Sequence, residues 1–316
     1  MKVACIGNAV YDYTASSKNK IIEGVRNSFY DAVCNVGGPA SNAASVIAKF
    51  GTQVDFYGRI GNDASGKVIY DKMFSENIGL KHLAVSNEVM TPYSFVALNT
   101  TDNTRTIFTV RSRVDYDNPT IGACEYEDNY DFILTDGKYV KETIELFKEN
   151  PSAYTVIDAG RVNEGVLRLC NMVDYIICSE DFANEVTGCV INDDYNNNAM
   201  VYYKLRNKFK KAIGIAITIG KNGYIYEKDK EVIVNPAYNS NLPVVDTNGA
   251  GDIFHGAFTY AIANGYNYYE SLEFANITAS LSVTKAGGRD SVPELTEVEN
   301  ILKNKDKSYV KKLNRF

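Results

Sequence analysis

One short run near the end of the chain constrains its fold and chemistry more than any other feature. Residues 246–252 read DTNGAGD, and an apolar stretch rich in small residues follows to residue 263. Gly249 and Gly251 let backbone N–H groups converge where a helix begins, and the helix dipole adds partial positive charge there. The run therefore predicts an anion-binding loop that opens a helix over 250–263.

Asp252 falls in the first turn of that predicted helix, beside the expected anion. Helix N-termini favour aspartate in any case, so one interpretation is a simple helix cap. In the other, the carboxylate accepts a proton from an attacking hydroxyl, a role worth roughly 10²–10⁴ in rate. The complete glycine-rich run favours the catalytic interpretation.

A second glycine-rich junction lies early in the chain, at residues 36–44, VGGPASNAA. Two glycines enter a predicted helix over 40–50, and Pro39 suits its first turn. Asn42 lies in that turn and can point at a ligand. Loop-to-helix junctions of this kind are common, so this one indicates a ligand site only in combination with DTNGAGD.

The rest of the chain alternates short apolar runs with amphipathic segments. Such β–α repetition predicts an α/β fold, with a doubly wound, mostly parallel sheet and helices on both faces. Helical patterns lie between most of the predicted strands, which span 3–6, 54–57, 132–135, 155–158, 175–178 and 213–219.

Two stretches interrupt this alternation. Residues 94–99 and 104–110 carry β-branched and aromatic side chains on either side of a turn-rich tetrapeptide, so they predict a hairpin. With the partly polar stretch 13–35, we expect a small β lid, from about 13–36 and 91–113, over the ligand edge of the sheet. Two further segments are predicted to be irregular: a polar loop over 192–198 and a basic, frayed tail over 303–316.

Composition narrows the compartment and the partners. The 316 residues carry a net charge of −6 and give an isoelectric point of about 5.2, whereas nucleic-acid-binding surfaces are usually basic. The six cysteines form no C-x-x-C pair, and only two histidines are present, which favours reduced thiols over a zinc cluster. Neither a signal peptide nor the roughly 18 apolar residues of a membrane helix is evident. We expect a cytoplasmic protein with no nucleic-acid or membrane partner.

Together, the GGPASN and DTNGAGD runs resemble the two signature regions of the ribokinase-like carbohydrate kinase family. The likeness extends over residues 1–293, with a mid-chain lid between the two runs. It implies a single ribokinase-like kinase domain over 1–316, the doubly wound fold with a small β lid, and ATP-dependent phosphorylation of a small sugar.

The resemblance also implies roles for individual residues. Asp252 matches the catalytic base of the family. Backbone N–H groups that stabilise the transferring phosphoryl group match Gly249, Ala250 and Gly251. Positions that bind substrate hydroxyls match Asp12, Gly38 and Asn42. Asp12 is also polar at the end of an apolar strand, which by itself suits a ligand site.

The ATP side of the family is matched as well. Residues 218–223, TIGKNG, follow an apolar strand and correspond to the nucleotide loop, in which Thr218, Gly220 and Gly223 are the matching positions. Asn276 matches a residue near the adenine, and 285–291, KAGGRDS, match the loop that walls the base. Many members hold a monovalent cation such as K⁺ here. The matching ligands are the side chains of Asp246 and Ser291 and the carbonyl groups of Asn248, Ser282, Lys285 and Gly287.

The chain differs from the family pattern at two places, and one further segment only superficially resembles another phosphate-binding motif. An N-x-x-E run linked to Mg²⁺ in the family is replaced by 179–182, SEDF, so Glu180 or Asp181 would have to act through water. Ribokinases have lysine after the double glycine, whereas this chain has Pro39, so ribose is not the default substrate. Residues 61–68, GNDASGKV, nearly spell a P-loop but lack the Mg²⁺-binding hydroxyl, and we reject that interpretation.

The substrate class rests on a basic group. Lys138 follows the strand over 132–135 at its carboxyl end, and Arg111 and Arg113 follow the hairpin. They form either a solvated rim or a cluster for an anionic substituent, since Arg forks suit phosphate or sulfonate. The motifs resemble most the ketose-kinase branch, including sulfofructose kinases. The expected reaction is phosphorylation of a primary hydroxyl of a ketose or related sugar by MgATP.

Two alternatives stay open. Phe29, Tyr30, Tyr93 and Phe95 would allow base stacking in a nucleoside kinase of the same fold. A non-catalytic sugar- or nucleotide-sensing protein would fit the altered 179–182 run, although the intact Asp252 speaks against it. Relatives often pair through their lid strands, so a homodimer is expected.

Overall fold

The structure, a computed structural model, describes residues 1–102 and 104–304. Its α-helices are α1 (Pro39–Lys49), α2 (Ala64–Ser75), α3 (Arg113–Asp117), α4 (Val140–Glu149), α5 (Glu164–Cys170), α6 (Glu180–Thr187), α7 (Tyr195–Lys208), α8 (Ala250–Ala263), α9 (Tyr268–Ser282) and α10 (Leu295–Asn304). Its strands are β1 (Lys2–Ile6), β2 (Val10–Ser17), β3 (Tyr30–Gly37), β4 (Gln53–Gly61), β5 (Leu83–Ser86), β6 (Tyr93–Asn99), β7 (Thr104–Val110), β8 (Phe132–Thr135), β9 (Tyr154–Ala159), β10 (Tyr175–Ser179), β11 (Gly214–Thr218), β12 (Tyr224–Lys228) and β13 (Glu231–Asn235).

The larger sheet has the order β13-β12-β11-β10-β9-β8-β1-β4-β5. Strands from β5 to β11 along that order are parallel, and β12 and β13 continue the sheet in antiparallel pairs. Parallel strands joined by helices are buried on both faces, which explains why they read as continuous apolar runs. The doubly wound α/β sheet expected from the sequence is confirmed.

Neighbouring residues of one strand show how the two faces are covered. Ile177 of β10 packs in a cluster with residues of α1, α8 and α9. Its neighbours Ile176 and Cys178 pack with residues of α5, α6 and α7. Because successive side chains of a strand point to opposite faces, these two helix groups lie on opposite sides of the sheet.

A second, four-stranded sheet has the order β3-β2-β6-β7, with β2 and β6 parallel and the outer pairs antiparallel. Its aromatic centre is Phe95, whose ring centroid lies 5.0 Å from that of Phe29 and 6.0 Å from that of Tyr13. The predicted hairpin is confirmed as the β6–β7 pair. Asn103, in the predicted turn, lies outside the described residues.

Two predictions about irregular segments need correction. The expected polar loop over 192–198 contains the first turn of α7, because Oδ1 of Asp194 accepts the N–H of Asn196 and caps the helix. The expected frayed tail begins inside α10, which extends to Asn304, and the rest of it lies outside the described residues. None of the helices within the described ranges is long and apolar enough to cross a bilayer.

Candidate active site

The start of α8 is set by glycine at two points. Gly249 has a φ of +72°, in the left-handed region, and turns the chain into the helix. Gly256 lets α8 press against α1, because a Cβ there would lie 2.8 Å from the Cα of Ala43. The helix has the bounds predicted from the sequence. This close packing brings Asp252, in the first turn of α8, next to the N-terminal half of α1.

A hydrogen bond from α1 holds the carboxylate of Asp252. Nδ2 of Asn42 donates to Oδ2 of Asp252 at 2.6 Å, while Oδ1 of Asn42 accepts from Nε of Arg289 at 3.1 Å. Burial raises the pKa of Asp252 to about 7; the charge of Asp158 adds to the rise, and the hydrogen bond from Asn42 opposes it. A carboxylate with a pKa near neutrality is suited to general-base chemistry.

The side chain of Arg289, for which no role was predicted from the sequence, is packed against α1. It belongs to the 285–291 loop, which was expected to wall the nucleotide base, but its buried guanidinium lies against α1 and the end of α2. It donates to Oγ of Ser41 and to Oδ1 of Asn42, and its Nη1 is 3.1 Å from Oε2 of Glu76. Arg289 therefore fixes the amide orientation of Asn42, a role that the sequence analysis missed.

The predicted substrate positions Asp12 and Gly38 come from different parts of the fold. Asp12 was expected at the end of an apolar strand, and that placement is wrong: it lies inside β2 of the second sheet, beside Ser94. Burial raises the pKa of Asp12 to about 6, whereas a hydrogen bond with Ser94 and the charge of Arg289 lower it. Gly38 precedes α1 with a φ of +99°, and a Cβ there would lie 2.5 Å from the carbonyl oxygen of Asn8.

Two further carboxylates lie close to these groups, and neither was predicted from the sequence. Asp136 follows β8 and accepts the N–H groups of Asn8 at 2.7 Å and Lys138 at 3.0 Å. Asp158 lies in β9, with its Oδ1 3.4 Å from Nε2 of His255. Both stand at the carboxyl end of a predicted strand, where ligands bind in sheets of this type. That position is the signal that could have revealed them.

A cavity of about 860 Å³ opens against the start of α8. The turn after β11, the segment between β13 and α8, and one side of α9 form its walls. Arg105 of β7 also lines it, so the second sheet reaches this cavity. The predicted nucleotide residues lie on its walls together with two residues of α8: Thr218, Gly220, Gly223, Asn276, Ala250 and Gly251. Its volume is in the range of small-molecule sites.

Glycine and asparagine shape one wall of that cavity. Gly223 has a φ of +100°, and a Cβ there would lie 1.9 Å from the carbonyl oxygen of Asn235. Nδ2 of Asn276 donates to the carbonyl of Pro236 at 3.0 Å, and its Oδ1 accepts the N–H of Tyr238 at 3.3 Å. Asn276 therefore holds the segment that follows β13 in place as part of the wall.

The residues predicted to hold a monovalent cation lie on two loops that meet at Asp246. Oδ1 of Asp246 accepts the N–H of Asn248 at 2.8 Å, and its Oδ2 accepts that of Gly287 at 3.2 Å. Oγ of Ser291 donates to the carbonyl of Gly288 at 2.6 Å. The remaining predicted ligands, at and just after the end of α9, are the carbonyls of Ser282 and Lys285. Across the described part of the chain, no group of three or more His, Cys, Asp or Glu side chains could hold a metal ion.

The predicted basic group includes Lys138, which lies beside the buried carboxylate of Asp115. Nζ of Lys138 lies 3.1 Å from Oδ2 of Asp115, and Nη2 of Arg59, another residue missed from sequence, lies 2.9 Å from Oδ1. Burial lowers the pKa of Lys138, and the nearby charge of Arg111 lowers it further while Asp115 opposes this. Arg113 is 93% exposed and pairs within its own helix. The structure thus groups Arg111 with Lys138 and leaves Arg113 outside.

The near P-loop at 61–68 serves as a helix cap. Oδ1 of Asp63 accepts the N–H of Gly66 at 2.8 Å, and the exposed Lys67 pairs with Asp71 on the surface of α2 at 2.9 Å. These contacts agree with the rejection of a phosphate-binding loop.

Residues 179–182 likewise begin a helix. Oγ of Ser179 accepts the N–H of Phe182 at 3.1 Å and caps α6. Glu180 and Asp181 fill its first turn; burial raises the pKa of Glu180, and the charge of Asp181 adds to the rise.

Known proteins resemble this chain over nearly its whole length. The sequence model of the pfkB family carbohydrate kinases matches residues 1–295. Ribokinase of Bacillus subtilis (strain 168) is 25% identical over 95% of this chain and 99% of its own length. The 5-dehydro-2-deoxygluconokinase of Listeria innocua is 26% identical, with 95% of each chain covered. Among solved structures, Arabidopsis thaliana ribokinase complexed with ribose and ATP matches with a TM-score of 0.78 and 23% identity, over 96% of this chain and 99% of its own. The expected ribokinase-like fold is confirmed.

Proposed function

Because the chain belongs to the pfkB family of carbohydrate kinases, we propose that it transfers the γ-phosphoryl group of ATP to a primary hydroxyl of a ketose or related sugar. One observation carries this proposal: the carboxylate of Asp252 stands in the first turn of the helix whose N-terminus lines the cavity of about 860 Å³. A hydroxyl group beside Asp252 is then also beside an anion bound at that N-terminus.

In the proposed reaction, Asp252 takes the proton of the sugar hydroxyl, whose oxygen forms a bond to the γ-phosphorus of ATP. The bond between that phosphorus and the bridging oxygen breaks, and ADP leaves with the bonding electrons. The hydrogen bond from Asn42 holds one carboxylate oxygen in place. The first N–H groups of an α-helix have no partner within the helix. Those around Gly249, Ala250 and Gly251 would therefore donate to the oxygens of the transferring phosphoryl group as negative charge develops on the leaving ADP.

Two metal ions complete the proposal. Mg²⁺ commonly keeps several waters and binds one or two carboxylates together with phosphates, whose charge it neutralises. The adjacent acids Glu180 and Asp181 in the first turn of α6 are the groups that we propose to hold it, through water. A K⁺ ion would stabilise the two loops joined by Asp246, with side-chain or carbonyl oxygens of Asp246, Asn248, Ser282, Lys285, Gly287 and Ser291 as ligands.

We propose that the second sheet is a lid within a single kinase domain. It carries Asp12 towards the substrate, and Arg105 of the same sheet lines the nucleotide cavity. One closing movement would therefore cover both substrates and exclude water, which would otherwise be phosphorylated wastefully.

The sugar would be held by Asp12, Gly38 and Asn42, and an anionic substituent on it by Arg111 and Lys138. The charges around Lys138 support the second part, because three cations lie beside two acids and leave the group with net positive charge: Arg59, Lys138 and Arg111 against Asp115 and Asp136. A buried cation in excess of its acids is a suitable partner for phosphate or sulfonate.

A homodimer through the lid strands is also proposed. Apolar side chains on the two outer strands of the second sheet are about half exposed: Val33 at 55%, Ile107 at 50% and Phe108 at 45%. Burying them against a second copy would remove apolar surface from water. In sedimentation analysis, Ile107→Asp should dissociate the dimer; an unchanged sedimentation coefficient would rule out β7 as its interface. We propose the cytoplasm as the compartment, because the six cysteines, all free thiols, suit a reducing environment.

A coupled ADP-release screen tests the proposed function. Neutral ketoses, sugar phosphates, sulfosugars and nucleosides are offered with MgATP, and turnover with a sugar is expected. Turnover with nucleosides alone would indicate a nucleoside kinase. Sugar binding without any ADP release would indicate a sensor.

A further inference from the structure

One buried histidine lies a single helical turn from the proposed base. His255 is 4% exposed and follows Asp252 by three positions, so both side chains lie on the same side of α8. Its Nδ1 is 2.6 Å from the carbonyl oxygen of Gly251, and its Nε2 is 3.2 Å from that of Ile177 in β10. Both ring nitrogens thus face carbonyl groups.

Carbonyl oxygens only accept hydrogen bonds, whereas a neutral imidazole carries one N–H group and one lone pair. In either neutral tautomer, one nitrogen lone pair of His255 would face the oxygen of Gly251 or Ile177 in a buried place. That arrangement leaves a buried polar atom without a partner and places two lone pairs against each other, which is unfavourable. With a proton on each nitrogen, both carbonyls are satisfied.

A counter-charge stands beside the ring. Oδ1 of Asp158 is 3.4 Å from Nε2 of His255. Burial raises the pKa of Asp158, and the charge of His255 opposes that rise. A protonated Asp158 that donated to Nε2 would still leave the carbonyl of Ile177 against the same lone pair, so the ion pair is the arrangement that satisfies all three acceptors.

We infer that His255 is an imidazolium ion paired with Asp158, and that it is a positioning residue whose charge keeps Asp252 ionised beside the substrate. This inference rests on the proposed role of Asp252 as the base. It gives His255 a function in the reaction although the imidazole exchanges no proton with the substrate.

The charges around Asp252 show why a cation is needed there. Burial raises the pKa of Asp252 most, the charges of Asp158 and Asp12 add to the rise, and the charge of His255 opposes it. The pKa of Asp136, after β8, is raised to about 6 by burial, and the charge of Asp158 adds to that rise. The thiol of Cys178 in β10 is neutral, because burial holds its pKa well above the usual range.

Arg289 is the other cation in this region, and it reaches Asp252 through the amide of Asn42. His255 is therefore the cation on the side of Asp252 that faces the central sheet, where Asp158 of β9 and Ile177 of β10 lie. Without it, three carboxylates would face one another with Asn42 as the direct donor to Asp252.

The charge of the ring can be measured directly in the unmodified protein. The sequence has only two histidines, His82 and His255. In ¹⁵N-histidine-labelled protein, both ring nitrogens of His255 should show the chemical shifts of protonated nitrogens at about pH 7.5. The signals of His255 are those that are absent from the spectrum of the His255→Gln variant and that remain in the spectrum of the His82→Gln variant. An unprotonated nitrogen of His255 at that pH would overturn the inference, whether or not the protein phosphorylates a sugar.

Kinetics then separate a positioning role from a structural one. His255→Gln should move the acidic limb of kcat/KM upwards by about one pH unit, with activity largely recovered at alkaline pH. Asp158→Asn should move the limb downwards, and the double variant should return it close to the wild-type position. An equal loss at every pH, with no displacement of the limb in either single variant, would contradict the inference.

Failure of the inference and failure of the proposed function give different results. A neutral His255 in an active sugar kinase removes only the inference. The opposite result is two protonated nitrogens on His255 in a protein that phosphorylates no sugar. That result would contradict the proposed function and the role of Asp252 as base, but not the ion pair between His255 and Asp158.

Discussion

The junction of α1 and α8 and the second sheet both supply residues to the candidate site, but they are built very differently. At the junction, Gly256 packs directly on Ala43, and the side chains around it are buried. In the second sheet, large apolar residues such as Ile107 are half exposed, and Asp12 is only partly buried. The first region is part of the packed core, and the second exposes much of its apolar surface.

The difference shows how this molecule divides its chemistry. The proposed base and anion site come from one run of seven residues and are held by tight helix packing. The proposed substrate contacts come from β2, α1 and the segment after β8, far apart in the sequence. The type of reaction is therefore encoded locally, whereas the choice of sugar depends on how distant segments meet.

The largest expected effect comes from the junction. Asp252→Asn keeps the size of the side chain but removes the base, so kcat should fall by about 10²–10⁴ with KM for ATP little changed. Asp71→Asn, in an exposed pair on α2, is the matched control and should have no effect. Steady-state ADP release measures both, and a kcat of Asp252→Asn near that of the wild type would contradict the assignment.

A second test addresses the wall of the nucleotide cavity. Gly223→Ala places a Cβ on the carbonyl of Asn235, whereas Gly188→Ala, also at positive φ, meets nothing within 4 Å. We expect a loss of about 3 kcal/mol in the free energy of unfolding for the first and about 1 kcal/mol for the second. Urea denaturation compares them, and equal losses would mean that backbone strain alone decides both.

The dependence of kcat/KM on pH tests the ionisation of Asp252 at the junction. Because the pKa of Asp252 is raised to about 7 and only its ionised form accepts a proton, kcat/KM should fall about tenfold per pH unit below 7 and level off above it. A profile that stays flat through this range would show that Asp252 ionises at lower pH than its burial implies.

The smallest effect belongs to the substrate side. Lys138→Ala should raise KM for a sugar phosphate or sulfosugar by about tenfold and that for a neutral ketose far less, since one charge-assisted contact is worth about 1.4 kcal/mol. Arg113→Ala, an exposed control, should change neither. Equal increases for charged and neutral sugars would remove Lys138 from anion recognition.

Local patterns in the sequence predicted the junction well. The bounds of α8 and of β8 are those expected, because an uninterrupted apolar run between turn residues determines them. The same reasoning fails where a short polar run can form either a loop or the start of a helix. Asp194 looked like part of a loop, although it is a good helix cap, and α7 begins directly after it.

Long-range contacts could not be predicted in this way. His255 has the appearance of an ordinary helix residue, and its contact with Ile177 joins positions 78 residues apart. Arg289 is 247 residues from Asn42, so nothing in its own loop indicates that it orients that amide. Asp12 was predicted at the end of a strand but lies inside β2, because an apolar run does not show where one strand ends and the next begins.

The central claim is that Asp252, at the N-terminus of α8, transfers a proton from a sugar hydroxyl during phosphorylation by ATP. The most direct test incubates each sugar of the panel with MgATP and identifies products by mass spectrometry in wild type and Asp252→Asn. We predict one phosphorylated sugar formed in equal amount to ADP by the wild type and almost none by the variant. Equal amounts of sugar phosphate from both proteins, or ADP formed without sugar phosphate, would contradict the account.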